Sequence, residues 1–574
     1  MPGSAAGAGR LWGPVESGGL WGRATYGATF CPHNLQQCWG VGGWAQPGAS
    51  PQRSPPFLLP SAMHSLVFLC ARRLVSHHPS ARRALDLLPA ELYPVLFQAA
   101  FLDRRTLALQ DLVATWPFPI LSFQQLLGHH DQQHSSHHPS LREKPSKLCF
   151  QAVIMAVVAH LRRALEEPCR GTSKRWCQLR VLDMTDLQDF DTDRGPDRMS
   201  LWSGTVALAK ACIEVSKHKN ECQKRSSKRW KGPSGASTTP QPVSVEIRAD
   251  LFVNGTSFGV LRDALQTSAS PLRLKCRDFR TEELSITGIV TLLESLEPVG
   301  VRRVDLRFNN LGPAGLCTVL PHLTRFTELV SLKLPYSNID VRRLAPGTDT
   351  GLRQLAVQLG RFPCLKELNF GSSRLSGSLR QLLSDLQAPL ESLELAFCYL
   401  LPGDLAFLHK SLHAPALRRL DLSGHNFTEN LLQCLCQLLE KISASLLHLD
   451  LMECHLTDAR LADLLPVLCR CSRLRCLGLF GNPLSTPGLK TLVRKTVVLL
   501  DLRLVVYPYP VDCYSREPSR LASAFGHLCE DVVDKERFAA VSAEVGRMLA
   551  SSGRADAIWT SSLCRHSAPD YFTL

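Results

Sequence analysis

The densest set of ligand-type side chains in this 574-residue chain is a group of five histidines, His129, His130, His134, His137 and His138. Imidazoles bind transition metals, but a built site needs ligands at fixed offsets, usually with thiolates or carboxylates among them. These histidines stand in a Ser/Gln/Pro stretch without such partners, so no metal is expected there. The 21 cysteines include no CxxC pair; Cys434/Cys436 and Cys469/Cys471 are spaced to fall half buried on repeat helices. The chain has no P-loop, no G-x-S-x-G and no H-E-x-x-H. Nothing in it assembles a nucleophile, a base and an oxyanion donor, so it reads as non-catalytic and without cofactor.

The remaining chemistry is recognition. Leu66, Cys70 and Leu74 lie at steps of four, one stripe of a helix whose wider apolar face adds Leu69 and Arg73. Such a stripe is the pattern of an elongin-binding box, which lies in a hydrophobic groove of its partner. The next element, Leu88-Pro89-Ala90-Glu91-Leu92-Tyr93-Pro94-Val95-Leu96, resembles a cullin-2 box, Φ-P-x-x-Φ-x-x-x-L. Its contact positions are Leu88, Pro89, Leu92 and Leu96. The same stretch resembles the opening of an F-box, and both helices also suit a plain N-terminal cap. Spacing alone leaves these readings open.

The elements that must position such contacts follow from a leucine pattern recurring roughly every 25–29 residues. Val301, Val304, Leu306, Asn309 and Leu311 fit L-x-x-L-x-L-x-x-N/C-x-L. The frame returns at Leu329/Leu332/Leu334, Leu365/Leu368/Phe370, Leu390/Leu393/Leu395, Leu417/Leu420/Leu422, Leu446/Leu449/Leu451 and Leu474/Leu477/Leu479. Its Asn/Cys slot reads Asn309, Ser337, Ser373, Cys398, His425, Cys454 and Asn482, side chains able to bond the backbone of a neighbouring coil. The expected fold is α/β, a leucine-rich-repeat solenoid (horseshoe) with its regular repeats over 301–500. Degenerate repeats over 178–300 (Leu179/Leu182/Met184, Val243–Ile247, Leu272–Leu274) and a C-terminal cap over 501–574 close the ends. The frame stops after Leu500, and a helix is predicted near Lys535–Ser551. The long step from Leu329 to Leu365 predicts an inserted loop near Ala345–Thr350.

Between its leucines each strand turns side chains outward. The central outward column reads Asp305, Lys333, Asn369, Glu394, Asp421, Asp450 and Gly478. Its neighbour reads Arg303, Ser331, Glu367, Ser392, Arg419, His448 and Cys476. A groove for nucleic acid would be lined by Lys and Arg, whereas the central column is mainly acidic. The concave face is therefore expected to hold a protein of mixed or basic charge through Arg303, Asp305, Lys333, Glu367, Asn369, Glu394, Arg419, Asp421, His448 and Asp450. A solvated face without a partner is the plain alternative.

The rest of the chain frames these two surfaces. Residues 1–62, Gly/Ala/Pro-rich and without a period, are expected to be a disordered extension; the helical pattern begins at Met63 and runs through 63–127. Residues 128–177 hold the His/Ser loop and a cap helix. The apolar run from Leu148 to Leu161 contains Gln151 and His160 and is too short to span a bilayer. Lys217–Lys231 followed by GPSGASTTPQP reads as an inserted basic loop, 217–242, the local concentration of a net charge of +14. A nuclear-localisation or polyanion patch is the other reading of that segment. Scattered cysteines without framework spacing, and no secretory signal at the start, point to a reduced, cytoplasmic, membrane-free protein.

MHSLVFLCARRLV, LLPAELYPVLFQAAFLDRR, ATWPFPILSFQQLL, RRVDLRFNNLG, APLESLELAFC, RRLDLSGHN, LGLFGNPLS, YPVDCY and DYFTL occur in order. Together they make the chain resemble the PRAME (preferentially expressed antigen in melanoma) family from Met63 to Leu574. The resemblance implies a substrate receptor of a cullin-2–elongin B/C ubiquitin ligase, with Leu66, Cys70 and Leu74 toward elongin and Leu88, Pro89, Leu92 and Leu96 toward cullin-2. It also implies negative regulation of Toll-like-receptor and NF-κB signalling by binding the β subunit of the inhibitor-of-κB kinase, without indicating which residues do so. The client protein is not implied. Occlusion of the kinase subunit without ubiquitin transfer, and a nuclear chromatin-associated role, are the competing readings.

Overall fold

The computed structural model describes residues 66–127, 146–166, 177–186, 200–229, 243–267, 270–341, 349–514 and 533–561. The expectations for residues 1–62, for the five clustered histidines and for most of the loop near Ala345–Thr350 lie outside them.

Among the described residues, thirteen strands form one parallel sheet in strict chain order. They are β1 (Ile120–Ser122), β2 (Val181–Met184), β3 (Val245–Val253), β4 (Leu272–Thr281), β5 (Arg303–Asp305), β6 (Ser331–Lys333), β7 (Glu367–Asn369), β8 (Ser392–Glu394), β9 (Arg419–Asp421), β10 (His448–Asp450), β11 (Cys476–Gly478), β12 (Leu504–Val506) and β13 (Ile558–Thr560). Helices return the chain from one strand to the next, which makes the sheet one wall of a solenoid and the helices the other. The repeat strands are short because only their middle residue needs to enter the core. Val304, Leu332, Leu368, Leu393, Leu420, Leu449 and Leu477 are all buried there.

Four of the seven slot residues bond the backbone of a neighbouring coil, whereas His425 bonds Leu422 of its own coil and the buried Ser337 and Ser373 hydroxyls make no such bond. Asn482 donates to the carbonyls of Leu451 and Leu479 at 2.8 Å each and accepts from the amides of Cys454 and Leu456 at 3.0 Å. Asn309 makes the same kind of stitch to Thr281 and Leu284, and the Cys398 and Cys454 thiols donate to Phe370 and Leu422 carbonyls. Backbone groups that would be orphaned between coils are thereby satisfied. Three residues beyond each repeat strand the chain turns through a left-handed conformation, at Phe308, Tyr336, Ser372, Phe397, Gly424, Glu453 and Gly481. Five of these carry a side chain, so the repeat geometry over-determines the strain. Gly424 has a further reason, since the Phe397 ring lies where its Cβ would stand.

The helical wall follows from periodicity. In the helix Glu429–Ile442, Leu431, Leu432, Leu435, Leu438, Leu439 and Ile442 are buried while Gln and Glu face out. Asp458, at the start of one such helix, accepts from the amide of Ser485 at the start of the next, so neighbouring helix entries are tied together.

At the N-terminus α1 (Leu66–Val75), α2 (His78–Leu85), α3 (Tyr93–Leu102), α4 (Thr106–Ala114), α5 (Phe123–Leu127) and α6 (Lys147–Glu166) build the cap. Tyr93, Phe97, Trp116 and Phe123 pack edge to face at its centre. α6 is long and apolar enough to cross a membrane by length and composition, yet Cys149, Phe150, Val153, Val157 and Leu161 are core residues of this fold. The helix extends the apolar run at both ends.

Three sequence expectations are corrected. The segment 63–127 is not purely helical, because β1 inside it starts the sheet. The sheet does not stop after Leu500; β12 and β13 continue it, with the expected helix Lys535–Ser551 between them. Lys217–Arg229 is not loop but the end of α7 (Leu201–Arg229). That stretch holds no Pro or Gly, and Glu221 stands one turn before Lys224 and Arg225, so nothing in it breaks the helix.

Candidate functional site

α1 is held to the cap by one face and leaves another uncovered. Phe68, Ala71 and Val75 are buried, and Arg72 grips Asp103 at the end of α3 through contacts of 2.7–3.1 Å. The stripe named from sequence lies on the other side. Leu66 is 76% exposed, Cys70 is exposed, and Leu74 is half-buried against the core. Val67 and Leu69 are exposed beside them. The apolar face read from the sequence therefore does not pack inward. Helix α1 is apolar nearly all round, and the i, i+3, i+7 set Phe68, Ala71, Val75 takes the core. Val67 was not singled out in the sequence, where it sits in an unbroken apolar run.

The second box divides differently. Pro89 is exposed, Leu88 and Leu92 are half-buried against the core, and Leu96 is a core residue at 3% exposure. Leu96 cannot touch a partner in this fold; it anchors α3. Leu87, which the pattern did not include, is 85% exposed and is the most solvent-exposed apolar residue of the segment. Pro89 precedes a single 3-10 turn, Ala90–Leu92, and Pro94 opens α3, as ring-fixed φ values suit a first turn.

On the sheet, the two outward columns fall into register as read. Arg303, Ser331, Glu367, Ser392, Arg419, His448 and Cys476 pair in one line, and Asp305 to Gly478 in the other. Their surroundings differ from expectation. Glu367, Asn369, Glu394, Arg419, His448 and Asp450 are buried. Lys333 Nζ lies 3.0 Å from Glu367, Arg419 Nε 3.5 Å from Glu394, and His448 Nε2 2.8 Å from Asp450. Asn369 donates to Glu394, Arg307 pairs with Asp305, and Arg303 reaches Asp278 at 3.4 Å. The expected acidic surface is therefore an acidic sublayer. Strands stand close enough that neighbouring charges bond one another before any partner arrives.

Packing carboxylates this way perturbs them. Burial, then the neighbouring charges of Asp450 and Glu394, push Asp421 up to about 7. Burial and the charge of Asp250 do the same to Asp278, also to about 7. Asp450 goes the other way: burial opposes its charge, but His448 beside it prevails and the carboxyl is lowered. Among the described residues no group of three His, Cys, Asp or Glu is placed to hold a metal ion.

Comparison with known proteins agrees with this architecture. Residues 63–135 match the PRAME N-terminal domain and residues 264–573 the PRAME C-terminal domain. Leucine-rich repeat-containing protein 14 of Xenopus laevis is 54% identical over 506 residues, 87% of this chain and 98% of that protein. Its counterparts in Mus musculus and Homo sapiens are 48% and 47% identical over 515 residues, 89% of this chain and 100% of each. Among solved structures, a leucine-rich repeat-containing protein of Legionella pneumophila, LegL7, is similar at 18% identity with a TM-score of 0.29, covering 44% of this chain and 81% of its own.

Proposed function

Because the chain belongs to the PRAME family, and within it to the group of leucine-rich repeat-containing protein 14, we propose that it is a cytoplasmic, non-catalytic adaptor. One end engages elongin B/C and cullin-2 while the repeats hold a client. In this reading α1 lays Leu66, Leu69 and Cys70 into the apolar groove of elongin, and Pro89 with its flanking leucines faces cullin-2. The ligase partner supplies the ubiquitin-charged enzyme; this chain contributes proximity, raising the effective concentration of client lysines. Binding of the inhibitor-of-κB kinase β subunit, with damping of Toll-like-receptor and NF-κB signalling, is the client role that the family resemblance implies.

The observation that carries the reading is the uncovered apolar stripe on a helix already fixed in place by its opposite face. Water-facing Leu66, Val67 and Leu69 cost hydration free energy that a partner groove would recover, about 1.5–3 kcal/mol for each fully buried large side chain. The stripe is also preorganised, so little ordering entropy opposes docking.

The test is a pull-down from cytosol with the full chain and a Leu66→Asp/Cys70→Asp variant, with thermal transitions compared first. Leu74 is left intact because it packs against the core. Elongin B/C and cullin-2 captured by the parent and lost with the variant support the receptor. If neither chain captures them while the kinase subunit is still bound, occlusion without ubiquitin transfer replaces it.

A further inference from the structure

On β3–β6 the charged face is layered by depth. The side chain of Arg248 is 50% exposed above Glu246 at 14%, and Arg277 is 24% exposed above Asp250 at 10%. Arg307 stands at 31% above Asp305 at 15%, and Lys333 at 20% above a fully buried Glu367. Arg280 extends past Glu282 and lies 4.8 Å from the Phe252 ring, while Arg273 is exposed. Asp186, in the turn after β2, and Glu297, beyond β4, are more exposed than the Arg277 and Lys275 that they meet, and Arg303 and Asp278 lie at equal depth. Long cationic side chains carry their charge outward while short carboxylates stay near the backbone. Burial lifts Asp278 to about 7, so it carries only part of its charge near neutral pH, which thins the negative layer further. On β8 and β9 the layering vanishes, with Arg419 and Glu394 at equal depth.

We infer that the charged face over β3–β6 docks an acidic segment of a partner protein, with Arg248, Arg273, Arg280 and Arg303 as its contacts. This rests on the reading of the repeats as the client-holding half and gives that client a chemistry. Guanidinium forks suit individual carboxylates, bidentate and directional. A nucleic-acid backbone fits less well. Glu246, Asp250, Glu282 and Asp305 lie among the cations, and binding phosphates by counterion release needs a net positive track. The sign is opposite to the one the outward columns suggest when depth is ignored.

The experiment uses the full chain and fluorescence anisotropy with a labelled oligo-glutamate peptide, beside oligo-lysine and single-stranded DNA. The expected result is oligo-glutamate binding that weakens about tenfold in Arg248→Gln/Arg280→Gln and more in Arg248→Glu/Arg280→Glu. Lys217→Glu/Lys224→Glu on α7 leaves it unchanged. The inference is overturned if the loss appears only in the α7 variant, if oligo-lysine binds instead, or if oligo-glutamate does not bind. Tight DNA binding, lost in the same arginine variants, would make the face a polyanion track and overturn it too. Elongin capture is read in the same samples, so failure of the adaptor reading and failure of this face are separate outcomes.

Discussion

Helix α1 and the repeat sheet both present residues that periodicity places outward, yet they meet solvent in opposite ways. On α1 the outward residues are mostly apolar, with Leu66, Val67, Leu69 and Cys70 exposed around Arg73. On the sheet they are charged and matched to each other. The difference is geometric. Neighbouring strands bring like columns to roughly 5 Å spacing, so the charged outward side chains pair with one another, although the Ser331 and Ser392 hydroxyls among them stay unpaired. Among the described residues, the far side of α1 faces no neighbouring element. The stripe is therefore apolar surface left to solvent, and the ladder is a network of charges already paired.

The largest test of that contrast compares two leucines. Leu420→Ala, beneath the sheet, should lower unfolding free energy by about 2–5 kcal/mol, as a cavity in a close-packed core does. Leu66→Ala should change it by less than about 0.5 kcal/mol. Urea denaturation of both variants decides; comparable losses would mean that α1 is packed on both faces.

The charged residues divide the same way. Lys333→Met strands the buried Glu367 carboxylate, and removing one partner of such a pair should cost about 3 kcal/mol. Arg72→Ala breaks a bridge whose arginine is largely in water, where about 0–1 kcal/mol is expected. Equal costs would place the sheet network in a solvent-like environment and remove the distinction.

The smallest effect concerns Asp421. Its folded carboxyl titrates at about 7, above an unfolded value near 3.9, so the folded state holds the proton more tightly. The stability linked to that proton is complete below pH ~4 and is lost as pH rises through about 7. Asp421→Asn keeps an acceptor for the Ser423 amide and removes the charge. It should be more stable than the parent by about 1–3 kcal/mol at pH 8, with the gap shrinking toward pH 5. A gap that stays constant with pH would show that Asp421 is not the group that titrates there.

Much of this molecule is legible in its residues. The leucine frame names the strand-side core positions from Val301 to Leu479, and all of them are buried. Four of the slot residues, Asn309, Cys398, Cys454 and Asn482, name stitches between coils, and Lys535–Ser551 is the helix that its pattern predicts. These features depend on local period and on contacts between adjacent repeats, which recur in the sequence at fixed spacing. Strands β1, β12 and β13 escaped because three residues without the full leucine frame carry too little periodic signal. α7 escaped for another reason, since charge density resembles loop composition although no residue between Lys217 and Arg229 breaks a helix.

Repeat spacing thus dictates the solenoid, its core and which columns of side chains leave the sheet, because all of these follow from positions a fixed number of residues apart. Which face of a mostly apolar helix packs, whether Leu96 is an anchor or a contact, and which sign of charge stands uppermost on the sheet follow instead from depth. Depth is set by neighbours distant in sequence: Asp103 against Arg72, Glu367 beneath Lys333, Glu246 beneath Arg248.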